Sequence, residues 1–210
     1  MVNLRWLYAL VAVAALATGM TLSLSSSEQP KVSALWLPEP RLIKDFQLVD
    51  EQGQAFTQAQ LTGQWTLLFM GFTSCPDVCP STLARLTSIY PAVSKDMPVQ
   101  VVLLSVDPQR DQGQKLKDYI QYFNPEFKAV TGEHAQLYAL SRNLGLVYAM
   151  VDLPDGQGYS VDHSADIVLI NPQGQLEAIF RPQGEPGELR LVSVAQMKQD
   201  LPIIADYRSY

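Results

Sequence analysis

No run of lysine or arginine occurs anywhere in the 210 residues, and 15 basic against 21 acidic side chains leave a formal net charge of −6. A nucleic-acid partner is thereby excluded, because such binders displace counterions with a basic stripe. The acidity is compatible with a basic partner or a cation, without selecting either. Internal repeats and low-complexity tracts are also missing, so one core is expected; 47% hydrophobic and 17% charged residues are enough to build it. Cysteine and histidine are scarce, two of each. A lone bridge between Cys75 and Cys79 would close a very small loop and restrain the unfolded chain little, so stability is a poor reason for the pair.

What the sequence does have begins with an address. Arg5 precedes WLYALVAVAALATGMTLSL, residues 6–24, an uncharged apolar run. At about 1.5 Å per residue it reaches roughly 28 Å, close to the thickness of a hydrocarbon core. Residues 1–25 are read as a single transmembrane anchor with its N-terminus inside, by the positive-inside bias. A cleaved signal peptide is the alternative, with Ala15 and Ala17 offering small residues to a peptidase. Both readings export the remainder of the chain. Residues 26–40, with Pro30, Pro38 and Pro40, read as a linker, and 41–205 as the exported domain.

Within that domain apolar strand-length runs alternate with helix-period segments. DFQLVDEQGQAFTQAQLTG reads as an N-terminal hairpin turning at Gln52 and Gly53. WTLLFMGF (65–72) is a buried strand, and the helix of 81–93 carries Leu83, Leu86, Ile89 and Tyr90 at helical spacing. VQVVLLSVDP (99–108) is a second buried strand, followed by a helix at 113–123, a short strand in FKAVTG and a helix closed by Gly145. LVYAMVD is a strand, DLPDGQGYSVDH an irregular loop, and SADIVLINPQGQLEAIFRP a hairpin turning at Pro172 and Gly174. PGELRLVSVAQMKQDL ends the chain as an amphipathic helix with Leu189, Val192, Val194 and Met197 on one side. This order predicts an α/β sandwich.

The stretch GFTSCPDVCP, residues 71–80, places both cysteines after the carboxyl end of a buried strand and at the mouth of a helix, where open α/β sheets put their chemistry. The helix dipole and orphan N–H groups there favour a thiolate. Pro76 and Pro80 oppose a regular helix before position 80, so a loop is expected to turn both sulfurs toward a common point. Two thiolates are an incomplete shell for a metal. Of the histidines, His134 falls in the first turn of a surface helix and reads as solvated. His163 stands just before a buried strand, where it can be a hydrogen-bonded residue at the edge of the core or a third ligand. Thiolates with imidazole suit copper or zinc; three evident donors rather than a closed set of four favour copper. Asp77 reads as a solvated loop carboxylate, Met70 as core, and Asp107, Arg110 and Asp111 as a local ion pair that supports the site, of the surface kind that contributes little stability.

GFTSCPDVCP, SVDPQRD (105–111), VTGEHAQLYALSRNLGLVY (130–148) and VDHSADIVLINPQG (161–174), in this order and spacing, resemble the SCO/SenC family of membrane-tethered copper chaperones. The resemblance covers about residues 40–200. It implies a thioredoxin-like fold and one copper ion held by Cys75, Cys79 and His163. It also implies assembly of the binuclear CuA site in subunit II of cytochrome c oxidase, with other copper-handling or thiol-redox proteins as partners. The expected location is a bacterial inner membrane facing the periplasm, ahead of the mitochondrial inner membrane. Related thioredoxin-like oxidoreductases have a cis-proline where this chain has His163 and Ser164, so a ligand replaces a residue that binds no metal. Ser74 stands where many members have another residue, at a position with no metal role. The alternative function is an exported thiol-disulfide oxidoreductase using Cys75 and Cys79 as its redox pair.

Overall fold

The computed structural model describes residues 29–208 except 155, 157 and 186, together with 5, 6, 8 and 11–15. Residues 1–30 and 31–210 form two separate compact units. Most of the apolar run at 6–24 lies outside the described residues; those described within 1–15 are helical. Among the described residues no helix is long and apolar enough to cross a membrane.

The centre of the larger unit is set by two strands that are buried along their whole length, β4 (Trp65–Gly71) and β5 (Val99–Ser105), paired in parallel from Trp65↔Val99 to Gly71↔Ser105. Such continuous burial requires cover on both faces. On one flank β6 (Lys128–Thr131) runs parallel to β5, and the hairpin of β2 (Leu48–Asp50) and β3 (Ala55–Phe56) pairs antiparallel beyond it. On the other flank β9 (Ile167–Ile170), β10 (Gln175–Phe180) and β1 (Leu35–Leu42) are added in turn, each antiparallel to its neighbour. The eight-stranded order is β1-β10-β9-β4-β5-β6-β2-β3. Helices α1 (Val78–Asp96), α2 (Gly113–Phe123), α3 (His134–Leu144) and α4 (Val194–Arg208) complete the fold, with α1 packed on α4 and α2. The expected turn at Gly53 and the expected helix end at Gly145 both adopt φ of +78°, the left-handed conformation that glycine takes at least cost.

Four elements differ from their sequence reading. Helix α1 starts at Val78, so Pro80 lies inside its first turn. That position tolerates proline because its N–H would have no intrahelical partner. Strand β1 occupies Leu35–Leu42, within the prolines that read as linker; an edge strand accepts proline, so tether and edge strand share one composition. Residues 159–163 are not irregular loop but strand β8 (Tyr159–His163), paired antiparallel with β7 (Tyr148–Asp152) in a separate two-stranded ribbon. Finally α4 begins at Val194, leaving Leu189 and Val192 ahead of it, and continues to Arg208, past the expected domain end at 205.

Candidate metal centre

Both cysteines are free. Cys79, in the first turn of α1, is fully buried, whereas Cys75 in the preceding loop is half-buried. The loop is pinned by its own backbone, Cys75 N–H to Phe72 O at 3.3 Å and Ser81 N–H to Asp77 O at 3.2 Å. The Cys75 sulfur accepts from the Cys79 backbone N–H at 3.4 Å. The turn brings Cys79 Sγ down onto the end of β4. A Cβ built on Gly71 would stand 2.8 Å from that sulfur, so glycine is the residue the approach requires.

His163 comes from the end of β8, 84 residues from Cys79 in sequence, and its Nε2 lies 3.4 Å from Cys79 Sγ. The ligand atoms of Cys75, Cys79 and His163 all lie within 4.8 Å of one another. Nδ1 of His163 is 2.9 Å from the Ser164 carbonyl oxygen; since a carbonyl only accepts, Nδ1 carries a proton there and Nε2 is the nitrogen that faces the sulfurs. The neighbouring Asp162 is exposed. Phe69 and Phe72 pack in T-shaped contacts with the imidazole, at centroid distances of 6.1 and 5.9 Å.

The two thiols titrate in opposite directions. A hydrogen bond from the Cys79 thiol, reinforced by His163 and by backbone N–H groups, pulls Cys75 down to about 4 against the effect of burial. The same hydrogen bond, together with burial and the Cys75 charge, pushes Cys79 well above the ordinary thiol range. In the metal-free, reduced state Cys75 is therefore the thiolate and Cys79 the proton donor.

The segment expected to support the site with an ion pair does carry one, between Arg110 and Asp107, but its carboxylates are buried rather than at the surface. Asp107 and Asp111 are both fully buried. Asp111 accepts from the Thr73 backbone N–H at 2.7 Å, from the Thr73 hydroxyl and from Ser105 Oγ at 2.7 Å. The loop between the two cysteines and β4 thus hangs on a carboxylate from beyond β5. Lys115 Nζ stands 3.4 Å from the same carboxylate. Asp77 is exposed and Met70 is fully buried, as their surroundings in sequence suggest. His134 is not solvated: its Nδ1 lies 3.1 Å from Tyr148 Oη, its Nε2 is buried, and its ring stacks on Tyr148. It takes no part in the sulfur cluster. Sequence reasoning missed Gly71, Phe72 and Tyr159. Of these only Gly71, a glycine closing an apolar strand, carried a signal.

A mixed α/β sheet that gathers two thiols and an imidazole at the carboxyl end of its central strand defines a class of soft-donor metal-binding proteins. The SCO1/SenC family profile matches residues 37–197, and the chain belongs to that family. It is 39% identical over 154 residues, 72% of this chain and 74% of the other, to a protein of Stutzerimonas stutzeri named for copper binding. To an SCO2-like protein of Rickettsia felis it is 33% identical over 174 residues, 81% of this chain and 85% of the other. Among solved structures, Arabidopsis thaliana ScoI with copper bound superposes with a TM-score of 0.66 at 28% identity, covering 80% of this chain and 100% of that one. Yeast Sco1 with copper bound gives 0.65 at 27% identity, covering 81% and 91%. The fold is therefore the thioredoxin-like fold of the Sco proteins.

Proposed function

We propose that this chain is a membrane-tethered copper chaperone with an exported domain, which carries one copper ion on Cys75, Cys79 and His163 and delivers it for assembly of the CuA site of cytochrome c oxidase. The convergence of the three donor atoms within 4.8 Å carries this reading. Copper-bound relatives support the choice of metal. Sulfur and imidazole donors suit copper by softness, and three donors leave a coordination position that an acceptor's own ligand can enter. Joining the Cys75 thiolate and the Cys79 thiol as a disulfide removes two electrons and the Cys79 proton and takes away both sulfur donors, so loading requires the reduced pair. The expected setting is a bacterial inner membrane, with the domain on the periplasmic face.

The test is Cu(I) titration of the reduced protein against a chromophoric chelator, with metal analysis of the product. One equivalent should bind to the wild type and be lost or greatly weakened in Cys75→Ser, Cys79→Ser and His163→Ala. Equal binding by all four proteins would remove the proposal. The split acidity of the cysteines favours a second reading, a thiol-disulfide oxidoreductase with Cys75 attacking and Cys79 resolving. In that case reduction of a partner disulfide survives His163→Ala.

A further inference from the structure

The segment after β5, residues 106–111, touches both halves of the candidate metal centre. Toward the cysteines, Val106 N–H donates to Gly71 O at 3.0 Å and the Asp111 carboxylate holds Thr73, two residues before Cys75. Toward the histidine, Tyr159 at the start of β8 donates its hydroxyl proton to Asp107 Oδ1 at 2.6 Å. Arg110 pairs with the same buried Asp107 through Nε, donates from Nη1 to the Tyr159 carbonyl oxygen at 3.2 Å, and lays its guanidinium 4.1 Å from the centre of the Tyr159 ring. Its other neighbour is Phe72, 5.7 Å away, whose ring in turn meets His163.

The ribbon that bears His163 needs such a hold. Among the described residues it shares no strand pairing with the eight-stranded sheet, and an isolated two-stranded ribbon is marginal in water. Its base is covalently tied at both strands and braced by Tyr148, which stacks on Tyr138 of α3 at 4.3 Å. Strand alternation places Tyr159, Val161 and His163 on one face. Rolling the ribbon about its long axis would swing the imidazole off Cys79, and fixing the Tyr159 ring opposes that roll.

We propose that residues 106–111 form a bracket that sets the separation between the sulfur pair and the His163 imidazole, with Asp107, Arg110 and Tyr159 as positioning residues for His163. The inference rests on the copper reading above for its consequence, though not for its geometry. Metal held by all three donors then depends on residues that never touch it. The thiol-disulfide equilibrium feels Tyr159 and Arg110 only through the His163 ring, which lies beside the sulfurs.

The experiment uses the full chain, wild type beside Tyr159→Phe, which deletes one hydroxyl and keeps the ring, and Arg110→Gln. Three quantities are read: Cu(I) affinity by chelator competition, the Cys75–Cys79 midpoint against glutathione, and amide hydrogen exchange across 159–163 and 75–83. We expect about tenfold weaker Cu(I) binding, the lower end of what loss of a ligand-orienting partner costs, with faster exchange at 159–163. The thiol midpoint moves no further than it does in His163→Ala, and exchange at 75–83 stays as in wild type. Wild-type affinity and exchange in both variants would overturn the bracket, and so would a thiol midpoint displaced beyond that of His163→Ala. If wild type and His163→Ala bind copper alike, the copper reading itself has failed, while exchange at 159–163 still decides the bracket.

Discussion

Cys75 and Cys79 lie one helical turn apart in sequence and meet opposite surroundings. Cys75 is half-buried and receives hydrogen bonds, so its thiolate persists down to about pH 4; Cys79 is sealed against Gly71 and keeps its proton. The sign of the consequence is direct. An ordinary thiol loses about tenfold in thiolate for each pH unit below its pKa, whereas Cys75 stays ionised as the pH falls from 8 to 5 and protonates only around 4. Iodoacetamide added to the reduced, metal-free protein should therefore label Cys75 at nearly the same rate at pH 5.5 and pH 7.5 and leave Cys79 unlabelled. Peptide mass spectrometry reads this. A Cys75 rate that drops about a hundredfold between those pH values, as an ordinary thiol's would, contradicts the assignment. The meeting of the two sulfurs was legible in the sequence, because both cysteines fall at a strand end, whereas the approach of His163 was one of two readings its position allowed. Asp111 was expected to support the site, but its full burial was not legible. A carboxylate's burial is decided by partners such as Thr73, 38 residues away, and spacing says nothing about them.

At the scale of elements, the junction between β4 and α1 makes the site, and it works only because Gly71 ends the strand. A methyl group there would stand 2.8 Å from Cys79 Sγ and 3.1 Å from the Phe69 ring. Gly71→Ala should cost about 1–3 kcal/mol, the usual penalty of overpacking a filled core, and should weaken Cu(I) binding by displacing the sulfur. Urea unfolding and chelator titration measure the two effects; an unchanged midpoint with unchanged affinity would show that the sulfur has room to move. The fully buried strands β4 and β5 and the glycine-closed helix α3 were legible, since each announces itself by continuous apolarity or by its terminal residue. Strand β8 was not, because Tyr-Ser-Val-Asp-His offers only one strongly apolar side chain, Val161, and its pairing partner β7 supplies the rest of the order. Strand β1 was hidden by Pro38 and Pro40, which mean extended chain whether or not a neighbour is present.

For the larger unit as a whole, closure depends on two buried carboxylates, neither of them in the sulfur cluster. Asp200 of α4 accepts the backbone N–H groups of Ser33 and Ala34 at 3.0 and 2.8 Å, fixing the segment that leads into β1. Glu177, fully buried on β10, is met by Trp36 Nε1 at 2.7 Å, Asn171 Nδ2 at 3.0 Å and Arg208 Nε at 2.6 Å. Arg208 also donates to the carbonyl oxygens of Leu37 and Pro38 at 2.9 and 3.1 Å. The last turn of α4 therefore joins β1 and β10 at the edge of the sheet. It is the part that the sequence boundary at 205 would discard. Removing residues 206–210 strips Glu177 of its cation while leaving it buried, and breaking such a pair from one side costs about 3–5 kcal/mol. Arg208→Ala in the full chain should reproduce most of that loss. Chemical denaturation of the three proteins checks it. A truncated chain within about 1 kcal/mol of wild type, the range of an exposed ion pair, would mean that Glu177 is satisfied by Trp36 and Asn171 alone. In either variant the thiol midpoint should hold, because the sulfurs lie at the carboxyl end of β4 and this lock sits on β1 and β10.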